Sequence, residues 1–274
     1  MLIAHITDPH IGIDPGLLAG RIDPATGLRR ALAHVRGLQP SADVLLLTGD
    51  FADTGGARDY ATVAALLKDW LPARAAGGPL VLAVPGNHDA RAAMRQALAH
   101  IMPVAAGAPE GLVCIHVEHG GLHFIGLDTQ VPGAPHGALG AAQLDWLARQ
   151  LAACAGQPVL IFMHHPPLLT GIAVMDCCGL LQGRAELGQL VRQHGGVQLI
   201  ASGHMHRVIA GQLGGAPVVV APSTSHQVDL DLRPDGALAC RLEPPMVGLY
   251  LWTASSGASC HFSYVEPFGQ PYPI

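Results

Sequence analysis

Residues 80–89 run LVLAVPGNHD: five apolar residues, a Pro-Gly turn, then Asn87, His88 and Asp89, three side chains able to ligate a cation or move a proton. An unbroken apolar run of this length predicts a strand buried on both faces, and the Pro-Gly pair ends it abruptly. The polar triplet therefore sits at the strand's carboxyl end. Four other segments follow the same plan. Leu2–Thr7 leads into Asp8-Pro9-His10, Val44–Thr48 into Gly49-Asp50, Val159–Met163 into His164-His165, and Leu199–Ser202 into Gly203-His204-Met205-His206. Open α/β sheets place ligands at the carboxyl ends of their strands, where short loops on a rigid sheet can converge.

Between these strands the apolar residues recur at helical spacing. Helices are predicted over Leu28–Leu38, Asp59–Trp70, Ala90–Ala99, Ala141–Ala153 and Arg184–His194, with a Gly/Pro-containing loop over Gly12–Gly27. Val113–His116 and Leu122–Leu127 read as a hairpin around Gly120-Gly121, with further strands at Val208–Leu213 and Val218–Ala221. This alternation predicts a layered α/β fold. The organisation expected is a catalytic domain over 1–225 and a β-rich segment over 226–274. Met246, Val247, Leu249, Tyr250, Leu251 and Trp252 make that segment too apolar for a solvated hairpin, so it is expected to pack on the core or on a partner subunit.

Composition narrows the function. A formal net charge of -5 with only 13% charged residues argues against a nucleic-acid polymer as partner. No long apolar helix free of Pro and Gly suggests a membrane span. A strand starting at Leu2 leaves no room for a secretion signal, so a cytoplasmic chain is expected. The six Cys show no C-x-x-C spacing and are expected to be reduced thiols; the Cys177-Cys178 pair suggests no role. The 16 His outnumber the 15 Lys and Arg together, so only those at strand ends carry information.

The Asp, His and Asn donors at the five endings suit Mn, Fe, Zn or Co. Asp50, with two carboxylate oxygens, can bridge two ions. Gly49, Gly86 and Gly203 each precede a proposed ligand and permit a tight turn. Five such endings in order point to two adjacent metal ions and hydrolysis of a phosphate ester.

In this order, Asp8-Pro9-His10, Gly49-Asp50, Gly86-Asn87-His88-Asp89, His164 and Gly203-His204-Met205-His206 resemble the motifs of the calcineurin-like metallophosphoesterases. The run Gly126-Leu127-Asp128-Thr129, His164-His165-Pro166-Pro167 and the segment Pro222–Gln227 look closest to class III cyclic nucleotide phosphodiesterases and bacterial glycerophosphodiesterases. The resemblance implies a β-sandwich flanked by helices. It implies one metal held by Asp8, His10 and His206, a second by Asn87, His164 and His204, and Asp50 bridging. It also implies a catalytic set of Asn87, His88 and His226: His88 contacts the phosphate or protonates the leaving group, and His226 resembles a pocket residue. The implied reaction is attack of a metal-bound hydroxide on a small phosphodiester such as a 3',5'-cyclic nucleotide or a glycerophosphodiester, in a homodimer or higher homo-oligomer. A phosphomonoesterase is the alternative, and a silent binding scaffold a more distant one.

Neighbouring residues are assigned plainer roles. His165 should point away from the site, since side chains alternate along a strand. Asp89 should cap the next helix or orient His88, and Asp128 should be structural. Arg91 and Arg207 are expected in solvent. His116, His119, His123 and His136 have no supporting pattern.

Overall fold

The computed structural model describes residues 1–274 except 13–20, 72–75, 100, 102, 104–106, 270–271 and 273–274. Half of the expected 12–27 loop, residues 13–20, therefore lies outside the described residues. The first part of the chain forms β1 (Leu2–Ile6), α1 (Pro24–Arg36), β2 (Val44–Leu47), α2 (Ala57–Trp70), β3 (Leu80–Ala83) and α3 (Arg91–Leu98). There follow β4 (Ile115–His119), β5 (Leu122–Leu127), β6 (Gly137–Ala138), α4 (Ala141–Ala153), β7 (Val159–Met163), α5 (Ala173–Asp176), β8 (Leu180–Gln182), α6 (Arg184–His194) and β9 (Val197–Ser202). The chain ends with β10 (Ile209–Leu213), β11 (Ala216–Val220), β12 (Gln227–Val228), β13 (Cys240–Arg241), β14 (Met246–Thr253) and β15 (Gly257–Tyr264).

Two sheets carry the fold. One has the order β15-β14-β1-β2-β3, the other β10-β11-β9-β7-β5-β4. The site-bearing strands β1, β2 and β3 run parallel, as do β7 and β9, so their carboxyl ends share one rim of each sheet. The apolar runs are continuous because both faces of each strand are covered. Val44 and Leu46 face the second sheet and pack with Phe124, Leu160, Phe162 and Tyr250. Leu45 and Leu47 face the other way, onto α1, α2 and α3 with Leu32, Val63 and Met94. The outer face of the second sheet packs Ile125 and Ile161 against Trp146 and Leu147 of α4 and Leu187 of α6. The layers are helix, sheet, sheet, helix, which is the flanked sandwich expected. Truncating an inter-sheet residue such as Leu46 to Ala should cost about 2–5 kcal/mol.

β14 is not a peripheral hairpin strand. It pairs antiparallel with β1, Leu2 opposite Leu251 and His5 opposite Gly248, and β15 pairs with β14. Among the described residues no helix is long and apolar enough to cross a membrane.

Two element boundaries differ from expectation for identifiable reasons. α1 begins at Pro24, four residues before Leu28, with Asp23 capping it by accepting from the Thr26 amide at 3.1 Å. Gly27 made this turn look like loop, but a Cβ there would lie 2.5 Å from the Thr224 carbonyl; glycine lets the 222–227 loop press on the helix. β4 begins at Ile115 because Val113 gives its N–H to the Asp128 carboxylate rather than to a neighbouring strand.

Candidate metal centre

At the shared rim, five residues other than glycine have positive φ: Asp8, His10, Asp50, His204 and His206. Among the described residues they are the only ones, and every one is a proposed ligand. A left-handed conformation at a non-glycine residue costs about 1–3 kcal/mol and persists only where surrounding structure enforces it. The strand ends are thus bent sharply so that these side chains turn inward. The three glycines work in two ways. Gly49 itself has φ +93°, whereas Gly86 and Gly203 are needed for room: a Cβ on Gly86 would collide with the Asp50 carboxylate, and one on Gly203 with Thr7 and Asp8.

The hydrogen bonds behind the site fix which nitrogen each imidazole turns inward. His10 gives its Nδ1–H to the Asp53 carboxylate at 3.0 Å, His206 to the His226 carbonyl at 2.9 Å, and His164 to the Thr48 carbonyl at 2.7 Å. Each Nε2 is then the nitrogen turned into the site, a lone pair in the neutral ring that a metal needs. Yet His10 Nε2 and His206 Nε2 stand 3.1 Å apart. His164 Nε2 faces only acceptors or other ring nitrogens: Asn87 Oδ1 at 3.0 Å, His204 Nδ1 at 3.1 Å and Asp50 Oδ2 at 3.3 Å. Lone pairs converging on lone pairs repel unless a proton or a metal cation lies among them, and nitrogen and carboxylate donors converging in this number fit bound metal. Asp50 Oδ2 touches both halves, at 3.3 Å from His164 and 3.6 Å from His10. Asp8 Oδ1 lies 3.3 Å from His206 Nε2. All the donors are N or O, and the groups of convergent ligands here include Asp8-His10-His206 and Asp8-Asp50-His164, joined by His10-Asp50-His88 and His164-His165-His204.

The electrostatics match. Burial disfavours charge on His164, but Asp50 overrides it and lifts its pKa to about 9, so the field there welcomes a positive charge. Burial opposes ionisation of Asp50 and Asp8 as well. His164 and His10 nonetheless hold Asp50 well below the carboxylate range, and His206 and His164 do the same for Asp8. Burial lowers His204 to about 3, aided by His164, keeping that ring neutral as a ligand must be.

His88 sits at the mouth, its side chain 40% exposed, with Nδ1 donating to the Asp53 carbonyl at 2.7 Å and its ring 4.8 Å from that of His10. His226 lies against the same group, its ring 4.6 Å from His206 and 5.4 Å from His10. All nine sequence-selected residues therefore meet at one place.

Several neighbours behave differently from expectation. Asp89 neither caps a helix nor steers His88. Its carboxylate accepts from the amides of Phe51, Ala52 and Gly86 and from the Tyr60 hydroxyl, sewing the second and third loops together. Arg91 is not solvated but grips Asp128 bidentately at 2.7 and 2.9 Å. Arg207 is likewise turned inward, onto the Val228 carbonyl and Glu243. His165 is fully buried, held by Thr129 and the Pro135 carbonyl, and braces the rings of His164 and His204 from behind. Asp53 escaped the sequence reading. Its signal was its place, three residues past Asp50 in the same loop.

Comparison with known proteins settles the family. The family model for calcineurin-like phosphoesterases matches residues 1–208. This chain belongs to that family. A protein named "Probable glycerophosphodiester phosphodiesterase GpdQ" from Arcobacter nitrofigilis is 33% identical over 274 residues, covering 100% of this chain and 97% of that one. A cAMP/cGMP dual specificity phosphodiesterase from Mycobacterium tuberculosis is 34% identical over 249 residues, 88% of this chain and 74% of that. Among solved structures, a dimetal phosphatase from Danio rerio superposes with TM-score 0.65 at 14% identity, covering 97% of this chain and 99% of that one. At that identity the likeness speaks for the fold alone.

Proposed function

We propose that this chain is a dimetal phosphodiesterase acting on small diesters. The observation that carries the reading is the convergence of the His10, His206 and His164 Nε2 lone pairs on each other and on Asp8, Asp50 and Asn87. Asp8, His10 and His206 would hold one ion, Asn87, His164 and His204 the other, and Asp50 both. When bound, a pair of Mn, Fe, Zn or Co ions supplies Lewis acidity toward phosphate oxygens and toward water.

The chain's own residues orient and protonate. His88 keeps its Nδ1 on the Asp53 carbonyl, which leaves Nε2 to face a substrate at the open mouth. Burial disfavours its charge, yet Asp50 and Asp53 raise its pKa, so the ring can carry the proton a departing alkoxide needs. His226 walls the pocket beside His206 and His10. Diesters are favoured over monoesters by charge. The arginines adjacent in sequence to the ligand loops, Arg91 and Arg207, are already committed to Asp128 and Glu243. Neither is available to offset the second negative charge of a monoester. The relatives' named substrates, glycerophosphodiesters and cyclic nucleotides, are of the diester class. A cytoplasmic homodimer completes the reading, and light scattering tests the oligomer.

The deciding experiment is a panel run on metal-loaded protein: bis(p-nitrophenyl) phosphate, a glycerophosphodiester and a 3',5'-cyclic nucleotide against p-nitrophenyl phosphate. Faster turnover of the diesters is expected, and preference for the monoester contradicts the reading. In His88→Ala, turnover should fall most for the poorest leaving groups; equal losses would refute its role as acid.

A further inference from the structure

We infer that His116, His123 and Cys154 form a separate site for a thiol-accepting divalent cation of the Zn²⁺ type, remote from the dimetal centre. One nitrogen of each ring and the Cys154 sulfur lie within 4.8 Å of one another. His123 stands near the start of β5, whereas the proposed catalytic ligands follow the carboxyl ends of the strands; His116 is its neighbour on β4, and Cys154 ends α4. Strand alternation puts His123 on the face that carries Ile125 and Leu127, toward α4.

The lone-pair argument applies here too. The His116 Nδ1–H is held by Gln150 Oε1 at 2.8 Å, and the His123 Nε2–H by Gln157 Oε1 at 2.6 Å. Both glutamine oxygens accept only, so the remaining nitrogens, His116 Nε2 and His123 Nδ1, are bare. They face each other across 3.0 Å. Cys154 brings a buried thiol to the same spot. His194 packs behind Cys154: its Nδ1 accepts from the Gly196 amide at 3.2 Å and its Nε2–H is donated to the Cys154 carbonyl at 3.1 Å, 4.0 Å from the sulfur. The thiol itself gives its proton to the Gln150 carbonyl at 3.2 Å, a proton that metal binding would displace. Two imidazoles, each oriented by a glutamine, and one buried cysteine make the donor set of a three-ligand zinc site. Solvent reaches the two half-buried rings, leaving the fourth position open. Binding releases the thiol proton to water, so affinity should rise with pH. No short motif announced the site, because its ligands come from a hairpin and the far end of a helix.

Titrating the metal-stripped full-length chain with Co²⁺ tests the site by a signal the dimetal centre cannot give. A thiolate on cobalt produces a charge-transfer band in the near ultraviolet, whereas the nitrogen and oxygen donors of the other centre do not. The band should appear in the wild type, persist in Asp50→Ala, and vanish in both Cys154→Ser and the half-exposed His123→Asn. Gln157→Ala, which keeps all three ligands, should bind cobalt about tenfold more weakly. Absence of the band in the wild type, its survival in His123→Asn, or unchanged affinity in Gln157→Ala would overturn the site. Absence of phosphodiesterase turnover in the metal-loaded wild type, with the band present, would count against the function proposed above and leave this site standing.

Discussion

Tyr250, on β14, hydrogen-bonds to His5 Nδ1 at 2.7 Å, and this contact is the far end of a one-way chain that reaches Asp8. The direction follows from the acceptor at its end. Thr7 gives its hydroxyl proton to Asp8 Oδ2 at 2.6 Å, Thr48 gives its own to Thr7 at 2.8 Å, and Thr48 therefore accepts from His5 Nε2–H at 2.7 Å. His5 is left neutral, its pKa pushed by burial down to about 3, and Tyr250 supplies the last proton. A strand near the carboxyl end of the chain thus helps orient a ligand on the first loop. Tyr250→Phe should leave a buried acceptor unpaired and cost about 1–3 kcal/mol in urea unfolding. Thr7→Val, which frees the Asp8 carboxylate, should weaken metal binding about tenfold in a titration. Wild-type affinity in Thr7→Val would show that the chain does not position Asp8.

Asp53 holds two rings at once, His10 by its carboxylate and His88 by its carbonyl. Asp53→Ala removes the first, together with the carboxylate charge 3.6 Å from His88 Nδ1, and leaves the carbonyl bond to His88 in place. Metal affinity should fall about 10- to 100-fold, as for other partners that orient a metal-ligating histidine. At saturating metal, losing the carboxylate's charge should also lower turnover, most for the poorest leaving groups but less than in His88→Ala, since the backbone carbonyl still holds His88. An unchanged dependence would mean that the carboxylate serves His10 alone.

Asp23 links pH to the stability of α1. The Thr26 hydroxyl and amide both bind its charged form and lower its pKa. A carboxylate depressed on folding stabilises the native state at pH above its unfolded value of about 3.9, and that contribution is lost as pH falls through the folded value. Asp23→Ala should therefore cost about 1 kcal/mol at pH 7, a usual figure for a lost N-cap. The difference between variant and wild type should shrink toward zero in strong acid. A constant difference across pH would assign the effect to something other than the cap.

The five strand endings were legible because a strand buried on both faces leaves an unbroken apolar run and the bend after it leaves glycine or proline beside the ligands. Asp8, His10, Asp50, Asn87, His88, His164, His204 and His206 could all be picked out that way, whereas His226 came only from the family resemblance. The supporting groups could not. Arg91 and Arg207 look like surface charges until Asp128 and Glu243 are seen beside them, and those partners lie 37 and 36 residues away. Asp89 read as a helix cap because three of its four donors come from two other segments, the loop after β2 and α2. His5 sits in the middle of an apolar strand, and only β14, pairing with β1 from the other end of the sequence, explains its polarity. Gly27 misled in the opposite sense: it marks a close approach of Thr224, not a loop.

The central claim, that these loops hold two ions which the reaction requires, is tested most directly by Mn²⁺ titration of the stripped protein with parallel assay of bis(p-nitrophenyl) phosphate hydrolysis. Mn²⁺ favours oxygen and nitrogen donors and so avoids the thiol site. Turnover should be absent without metal, saturate as two Mn²⁺ bind per chain, and be abolished in Asp50→Ala together with the tight binding of the pair. Full turnover in the stripped protein, or saturation at a single ion with Asp50→Ala unimpaired, would contradict the account.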